Sequence, residues 1–170
     1  MSSIEALVSA IRKQHYAYPP ACTASVQYLA ELGMPEDVLQ FYSLADGACL
    51  NEGSEYDWNI EIDGRRWKWI VLPTEQIRPI TRIGFDLINS PLSAQQEFWL
   101  PIVDVMDSNY LSINVASGRE GEIIDCFHEN LECPGYNSIV ALNFTSLLEL
   151  LISSTECFWL EEKNRVYGAY

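Results

Sequence analysis

The stretch LGMPEDVLQFYSLADGA, residues 32–48, decides the fold of this chain. Pro35 is suited to the first position of a helix, because its missing N–H would have no partner there. Glu36 and Asp37 place negative charge at the positive end of the helix dipole. Gly47 can adopt the left-handed conformation that ends a helix. The stretch therefore predicts one short helix, and its buried face carries Val38, Phe41, Tyr42 and Ala45.

Two further helices are predicted upstream of this stretch. Ser2 and Glu5 have the spacing of a capping box. Apolar residues then recur at helical spacing from Ile4 to Ile11. Thr23 can cap a second helix, and Gly33 can end it. The chain therefore begins with three helices in succession.

The pattern downstream of Gly47 is that of antiparallel strands. Residues 51–57 are polar and acidic, which indicates a loop. Residues 58–62 alternate with period two, and Asp63-Gly64 is a strong hairpin signal before a returning strand over residues 65–72. Three more strands are predicted at residues 99–105, 110–115 and 122–128.

An apolar helix capped by Asn143 follows the strands. Helices, then a meander of strands, then a helix predict an α+β domain. In this architecture a central antiparallel β-sheet is flanked by the N-terminal helices and the C-terminal helix.

Length and composition favour one globular domain over residues 1–170. The chain has 170 residues, of which 48% are hydrophobic, so it can bury a real core. It contains no apolar run of the ~20 residues that a membrane span needs, and its N-terminus lacks the pattern of a signal peptide. Five cysteines at irregular spacing fit a reducing, cytoplasmic environment better than a disulfide framework. We expect a monomer or weak dimer.

The net charge of −14 restricts the possible partners. A surface this acidic repels nucleic acid and anionic membranes. It attracts a basic protein and speeds the encounter with it. The alternative is that the acidity serves only solubility.

The sequence contains no recognisable catalytic or metal-binding motif. Cys126, His128 and Cys133 could supply metal ligands, but their spacing fits no zinc pattern, so ordinary packing is the favoured interpretation. His128 precedes Glu129, yet no catalytic motif surrounds it. We therefore expect no catalytic residue, no metal and no cofactor. A small enzyme that uses His128 remains an alternative.

The acidic loop and hairpin are the candidate partner-binding surface. Carboxylates surround two amphipathic aromatic residues there, and such residues are common anchors of interfaces. The alternative is a solvated face. Trp67 and Trp69 on the same hairpin, like Trp58, are more typical of core residues than of an exposed aromatic platform. The predicted contact residues are Asp46, Glu52, Glu55, Tyr56, Asp57, Trp58 and Glu61.

The order of three segments resembles that of the SUKH superfamily, also called the Smi/Knr-like family. Residues 26–48 are similar to the family's helix, Gly-Pro-Asp connection and second helix. Residues 99–128 look like its central strands. Residues 139–148 look like the start of its last helix. Two residues depart from the family pattern, since Asn114 replaces an acidic residue and Asn143 replaces a serine.

The resemblance implies a single SUKH-like domain that binds proteins without catalysis. The commonest role in the family is immunity to a cognate secreted polymorphic toxin. The acidity fits a basic toxin such as a nuclease. The alternative role is a regulatory or scaffold module that binds a cellular enzyme, as in cell-wall-synthesis regulators. Toxin-binding residues vary with the partner, so the resemblance assigns none here.

Overall fold

The computed structural model describes residues 3–53, 60–82, 95–105, 109–129, 131, 133, 135–154 and 168–170. Within these ranges the chain forms four α-helices and eight strands. The helices are α1 (Ile4–Gln14), α2 (Thr23–Glu31), α3 (Glu36–Leu44) and α4 (Phe144–Ser153). The strands are β1 (Tyr16–Ala17), β2 (Ala48–Glu52), β3 (Ile60–Ile62), β4 (Arg65–Val71), β5 (Trp99–Asp104), β6 (Tyr110–Asn114), β7 (Ile123–Cys126) and β8 (Ile139–Ala141).

The eight strands form one antiparallel sheet in the order β1-β2-β4-β5-β6-β7-β8, with β3 paired to β4. Trp67 in β4 is paired with Glu52 of β2 and also with Ile60 of β3. Ile70 and Val71, further along β4, pair with β5. The strands β3 and β5 therefore share one edge of β4. The predicted α+β architecture with a central meander is confirmed.

The main core lies between one face of the sheet and the helices. Leu100, Ile113 and Ile123 are cross-strand partners on that face, and they belong to the same buried cluster as the apolar residues of α1, α3 and α4. Trp99 and Ile124 alternate with them along β5 and β7, and they form a smaller cluster with Cys126. Successive residues of a strand point to opposite faces, so these strands carry apolar clusters on both faces of the sheet.

The helix-end predictions needed corrections of one residue. The side chain that caps α1 belongs to Ser3, which accepts a hydrogen bond from the N–H of Ala6. Cys22, not Thr23, occupies the cap position of α2, and it makes no side-chain capping bond. Pro35 is the cap residue of α3 and not its first helical residue. The extended conformation of Pro35 still directs the chain into α3.

Gly47 was predicted to end α3, and this was wrong. The helix ends at Leu44, and the next residue, Ala45, already has an extended backbone. Gly47 has φ +94°, and a Cβ on it would lie 2.6 Å from the carbonyl oxygen of Val71. Glycine is therefore required where the chain entering β2 crosses closely over the end of β4. The buried stripe of Val38, Phe41, Tyr42 and Ala45 is confirmed.

The strand predictions were correct in position and wrong at several ends. Asn51 and Glu52 belong to β2, so the predicted loop begins later than expected. Asp63 (φ +53°) and Gly64 (φ +75°) form the turn of the predicted hairpin, with the twist that antiparallel strands favour. The strand β7 ends at Cys126, before the expected residue 128, and β8 had not been predicted. Within the described ranges, no helix is long and apolar enough to cross a membrane.

Candidate functional site

The structure places three of the seven predicted contact residues. Glu52 ends β2 and Glu61 lies in β3, and both are exposed. Asp46 is half-buried and precedes β2. The other four predicted residues lie outside the described residues, and they are Glu55, Tyr56, Asp57 and Trp58.

Asp46 has a structural role in the fold. Its Oδ1 atom accepts a hydrogen bond of 2.8 Å from the N–H of Thr74. Its own N–H donates to the carbonyl oxygen of Pro19 at 2.7 Å. The bond to Thr74 holds the start of the short helix at Thr74–Gln76. Because β2 separates Asp46 from Glu52, the two residues lie roughly 15–20 Å apart along the strand, so Asp46 is not part of the hairpin surface.

Cations accompany the two exposed carboxylates of the hairpin. The Oε1 atom of Glu52 lies 4.0 Å from Nε of Arg65, and Glu61 is the cross-strand partner of Arg66. An exposed pair of this kind contributes little stability, because solvent screens both charges. The described hairpin holds three carboxylates (Glu52, Glu61, Asp63) and three cations (Arg65, Arg66, Lys68), so its formal charge is zero.

The tryptophans of β4 are core residues. Trp67 and Trp69 retain 3% and 2% of their accessible surface. Trp69 packs in the main core, whereas Trp67 packs with Cys49 and Ile70 in a separate small cluster. The prediction that they are core residues is confirmed, and Trp58 lies outside the described residues.

The possible metal ligands are not brought together as a site. Cys126 is fully buried, and burial raises the pKa of its thiol. Cys133 is exposed. Nδ1 of His128 lies 2.8 Å from Oδ1 of Asn109, and the same oxygen accepts from the N–H of His128. In the part of the chain that the structure describes, no three His, Cys, Asp or Glu residues are grouped so that they could hold a metal ion.

A second histidine connects three elements, and the sequence analysis missed it. Nδ1 of His15 accepts a 3.2 Å hydrogen bond from the N–H of Asn51. The Asn51 side chain donates to the carbonyl oxygens of Leu151 and Ser154 at the end of α4, and its φ is +55°. Burial lowers the pKa of His15. The contact joins the end of α1, the bend in β2 and the end of α4.

The sequence pattern of the SMI1/KNR4 family (SUKH-1) matches residues 27–150. The chain belongs to this family. It is also 25% identical, over 126 residues, to "Immunity protein YokJ" of Bacillus subtilis (strain 168). That alignment covers 74% of this chain and 68% of the Bacillus protein.

Membership of the SUKH-1 family gives meaning to the two departures from its pattern. Asn143 caps α4 through Oδ1, which accepts from the N–H of Ser146 at 2.8 Å, as a serine side chain would. Asn114 donates to the hydroxyl of Tyr170 and accepts from the N–H of Ala116. A carboxylate at position 114 could not donate the first of these bonds. Asn143 therefore supplies the cap that a serine would give, whereas Asn114 makes a contact with Tyr170 that an acidic residue could not make.

Proposed function

We propose that this SUKH-1 protein is an immunity protein, which binds a cognate secreted toxin and neutralises it. The observation that carries the proposal is the similarity to an immunity protein over 126 residues, within a shared family. Neutralisation would be stoichiometric, because a bound protein that covers the active site of a toxin needs no chemistry of its own.

The proposed toxin is basic, and a nuclease is the foremost candidate. The support is the net charge of −14, which favours a partner with a positive substrate groove. Carboxylates can occupy a groove that otherwise holds phosphate. The absence of catalysis is part of the proposal, and it agrees with the pairing of His128 to the amide of Asn109.

The docking surface predicted from the sequence remains a proposal. Its support is that Glu52 and Glu61 are exposed on β2 and β3, the two strands that pair with β4 on its opposite edges. Its anchors, Tyr56 and Trp58, are untested predictions. The balanced charge of the described hairpin means that an excess of negative charge there depends on Glu55 and Asp57.

Co-expression tests the proposed function. The protein encoded by the gene immediately upstream is induced in a host with or without this chain. We expect growth arrest without the chain, rescue with it, and a stable complex of the two purified proteins. A matched control is the Leu148→Asp variant, which places a charge at a fully buried position of α4 and should not rescue.

Failure of the rescue together with failure of complex formation would contradict the immunity function. The alternative is a regulatory or scaffold module that binds a cellular enzyme. That alternative predicts a phenotype on deletion of the gene in cells that lack the neighbouring gene, whereas an immunity protein predicts none.

A further inference from the structure

The opposite end of the sheet from the hairpin carries two exposed hydrophobic side chains. The start of β5, the ends of β6 and β8, and the start of β7 meet at this end, because the strands are antiparallel. Phe98 precedes β5 and is 48% exposed, and Leu142 follows β8 and is 50% exposed. Single exposed hydrophobic residues are ordinary on a protein surface, so these two count as anchors only if one partner covers both.

The connection between α2 and α3 lies against the segments that adjoin these two residues. A Cβ on Gly33 would lie 3.7 Å from Cβ of Val115, and the N–H of Val115 donates to the carbonyl oxygen of Phe98. A Cβ on Gly121 would lie 3.7 Å from Cγ of Pro35 and 3.6 Å from the carbonyl oxygen of Leu142. The connection therefore links the two sides of one continuous surface. Phe98 and Leu142 are three strands apart, which corresponds to roughly 14 Å.

The segments that form this surface carry three exposed carboxylates. The four segments that build it are residues 33–36, 95–98, 115–121 and 142–143, and their carboxylates are Glu36, Glu97 and Glu120. Hydrogen bonds from its own N–H and from the N–H of Gly118 lower the pKa of Glu120.

Arg119 is the one cation in these four segments, and it is already held. Its guanidinium lies 3.5 Å from Oε2 of Glu122 and 4.6 Å from the ring centre of Tyr170. The charges of Arg119 and Glu122 cancel. The remaining three carboxylates give the surface a formal charge of −3, whereas the formal charge of the described hairpin is zero.

We infer that this strand-end surface docks a basic protein. An apolar patch of the partner would cover the two hydrophobic side chains, and lysines or arginines around that patch would face the three carboxylates. The surface is defined as Phe98, Leu142, Glu36, Glu97 and Glu120. The inference rests on the proposed function, since the basic protein is the proposed toxin. The strand-end surface competes with the acidic loop and hairpin as the place where that toxin docks. Hydrophobic anchors enclosed by complementary charge are the arrangement from which tight interfaces are built. The described hairpin offers neither the exposed anchors nor the unbalanced charge.

Binding kinetics with the upstream-gene protein test the inference. Phe98→Ala and Leu142→Ala should each raise the dissociation constant by about tenfold or more, mainly through faster dissociation. The triple variant Glu36→Gln, Glu97→Gln, Glu120→Gln should slow association several-fold at low salt. That effect should fade at an ionic strength of about 1 M, because the screening length is then only about 3 Å.

Matched variants control for folding and for general charge. The triple variant Glu5→Gln, Glu75→Gln, Glu129→Gln removes three exposed charges that lie outside both candidate surfaces, and it serves as the control. The triple variant Glu52→Gln, Glu61→Gln, Asp63→Asn removes three charges from the competing hairpin surface. Ser117→Lys adds a cation at an exposed turn position of the strand-end surface without touching the core. We expect Ser117→Lys to slow association and the control variant to change it less than twofold. An effect of the control variant as large as that of the strand-end variant, or a larger effect of the hairpin variant, would overturn the inference.

A probe that is independent of the toxin separates the two proposals. A synthetic amphipathic peptide of leucine and lysine is titrated into the isotope-labelled protein, and backbone amide shifts are followed. We expect the largest shifts at residues 97–98, 118–121 and 142. Largest shifts at the hairpin, or uniform shifts, would contradict the strand-end surface. Should the upstream-gene protein not bind the wild-type chain, the proposed function fails while the peptide still decides the surface.

Discussion

Asp37 at the start of α3 holds Thr145 at the start of α4. Its Oδ2 atom accepts hydrogen bonds from the N–H and from the hydroxyl of Thr145, each at 2.9 Å. Its Oδ1 atom accepts from the N–H of Val38. One carboxylate therefore accepts hydrogen bonds from N–H groups at the starts of two helices, where the first N–H groups lack the usual helical partner. The N–H of Val38 is shared with the carbonyl oxygen of Pro35. The residues are 108 positions apart, so the contact fixes the packing of the two helices.

Replacement of Asp37 should destabilise the protein strongly. Asp37→Ala leaves the N–H and the hydroxyl of the buried Thr145 without their acceptor, and we expect a loss of about 2–4 kcal/mol in the free energy of unfolding. Thr145→Val removes one of the bonds and should cost about 1 kcal/mol, while Thr145→Ser should cost less. Urea unfolding measures all three. An Asp37→Ala protein within 0.5 kcal/mol of the wild type, on the scale of neutral surface changes, would contradict the proposed role.

The last helix, α4, should be part of the core. Leu148 is fully buried, so Leu148→Ala should cost about 2–5 kcal/mol, and Leu148→Asp should prevent stable folding. The matched control is Ser153→Asp, which adds the same charge to an exposed position of the helix and should cost less than about 1 kcal/mol. Thermal melts decide the matter. A Leu148→Asp protein that melts like the wild type would show that the helix is peripheral.

Alanine substitution at Gly64 and at Gly47 compares the conformational cost of a side chain at positive φ with the added cost of a steric clash. Gly64→Ala meets no atom within 4 Å, so it should cost only the roughly 1–2 kcal/mol of the left-handed conformation. Gly47→Ala adds a contact of 2.6 Å with backbone and should cost more than about 3 kcal/mol in total. Chemical denaturation of the two variants compares them directly. Equal losses would mean that the close approach at Gly47 relaxes freely.

His15 should make stability depend on pH. Burial lowers its pKa in the folded state, whereas in the unfolded chain the pKa is about 6.5. Above the unfolded value both states are neutral and stability is full. As the pH falls from about 6.5 toward the lower folded value, the unfolded chain binds the proton first, so stability falls.

The His15→Gln variant isolates this contribution, since glutamine does not titrate. Lowering the pH from 7.5 to 5.5 should reduce the unfolding free energy of the wild type by more than that of the variant. Urea titrations at the two pH values measure it. If the difference between the two proteins stays constant over this range, the pKa of His15 is the same in the folded and unfolded states.

The purified protein should show no hydrolase or transferase turnover. His128 is paired with the amide of Asn109, and among the described residues it belongs to no group of three His, Cys, Asp or Glu side chains that could hold a metal ion. Consistently, His128→Ala should retain toxin binding in the assays above. Broad activity screening provides the measurement, with the His128→Ala protein as its control. Turnover that disappears in this variant would support an enzyme instead.

The sequence predicted the helical stripe of α3, the hairpin turn and the cap of α4 because each depends on residues close together in the chain. Val38, Phe41 and Tyr42 follow the helical period, and Asp63-Gly64 meets the steric demand of its own turn. Asn143 reaches the N–H of Ser146 three residues away. For the same reason the order of segments was sufficient to indicate the SUKH family.

The tertiary structure decided what depends on residues distant in the sequence. Gly47 is needed because Val71 lies against it, and Asp46 is drawn into a backbone contact with Thr74. The cations of β4 balance the carboxylates of β2 and β3 only because these strands pair. Likewise Phe98 and Leu142 share a surface only because antiparallel strands bring their ends together. Local sequence determines the elements, because their hydrogen bonds and periodicity are local, whereas surfaces depend on which distant segments pack together.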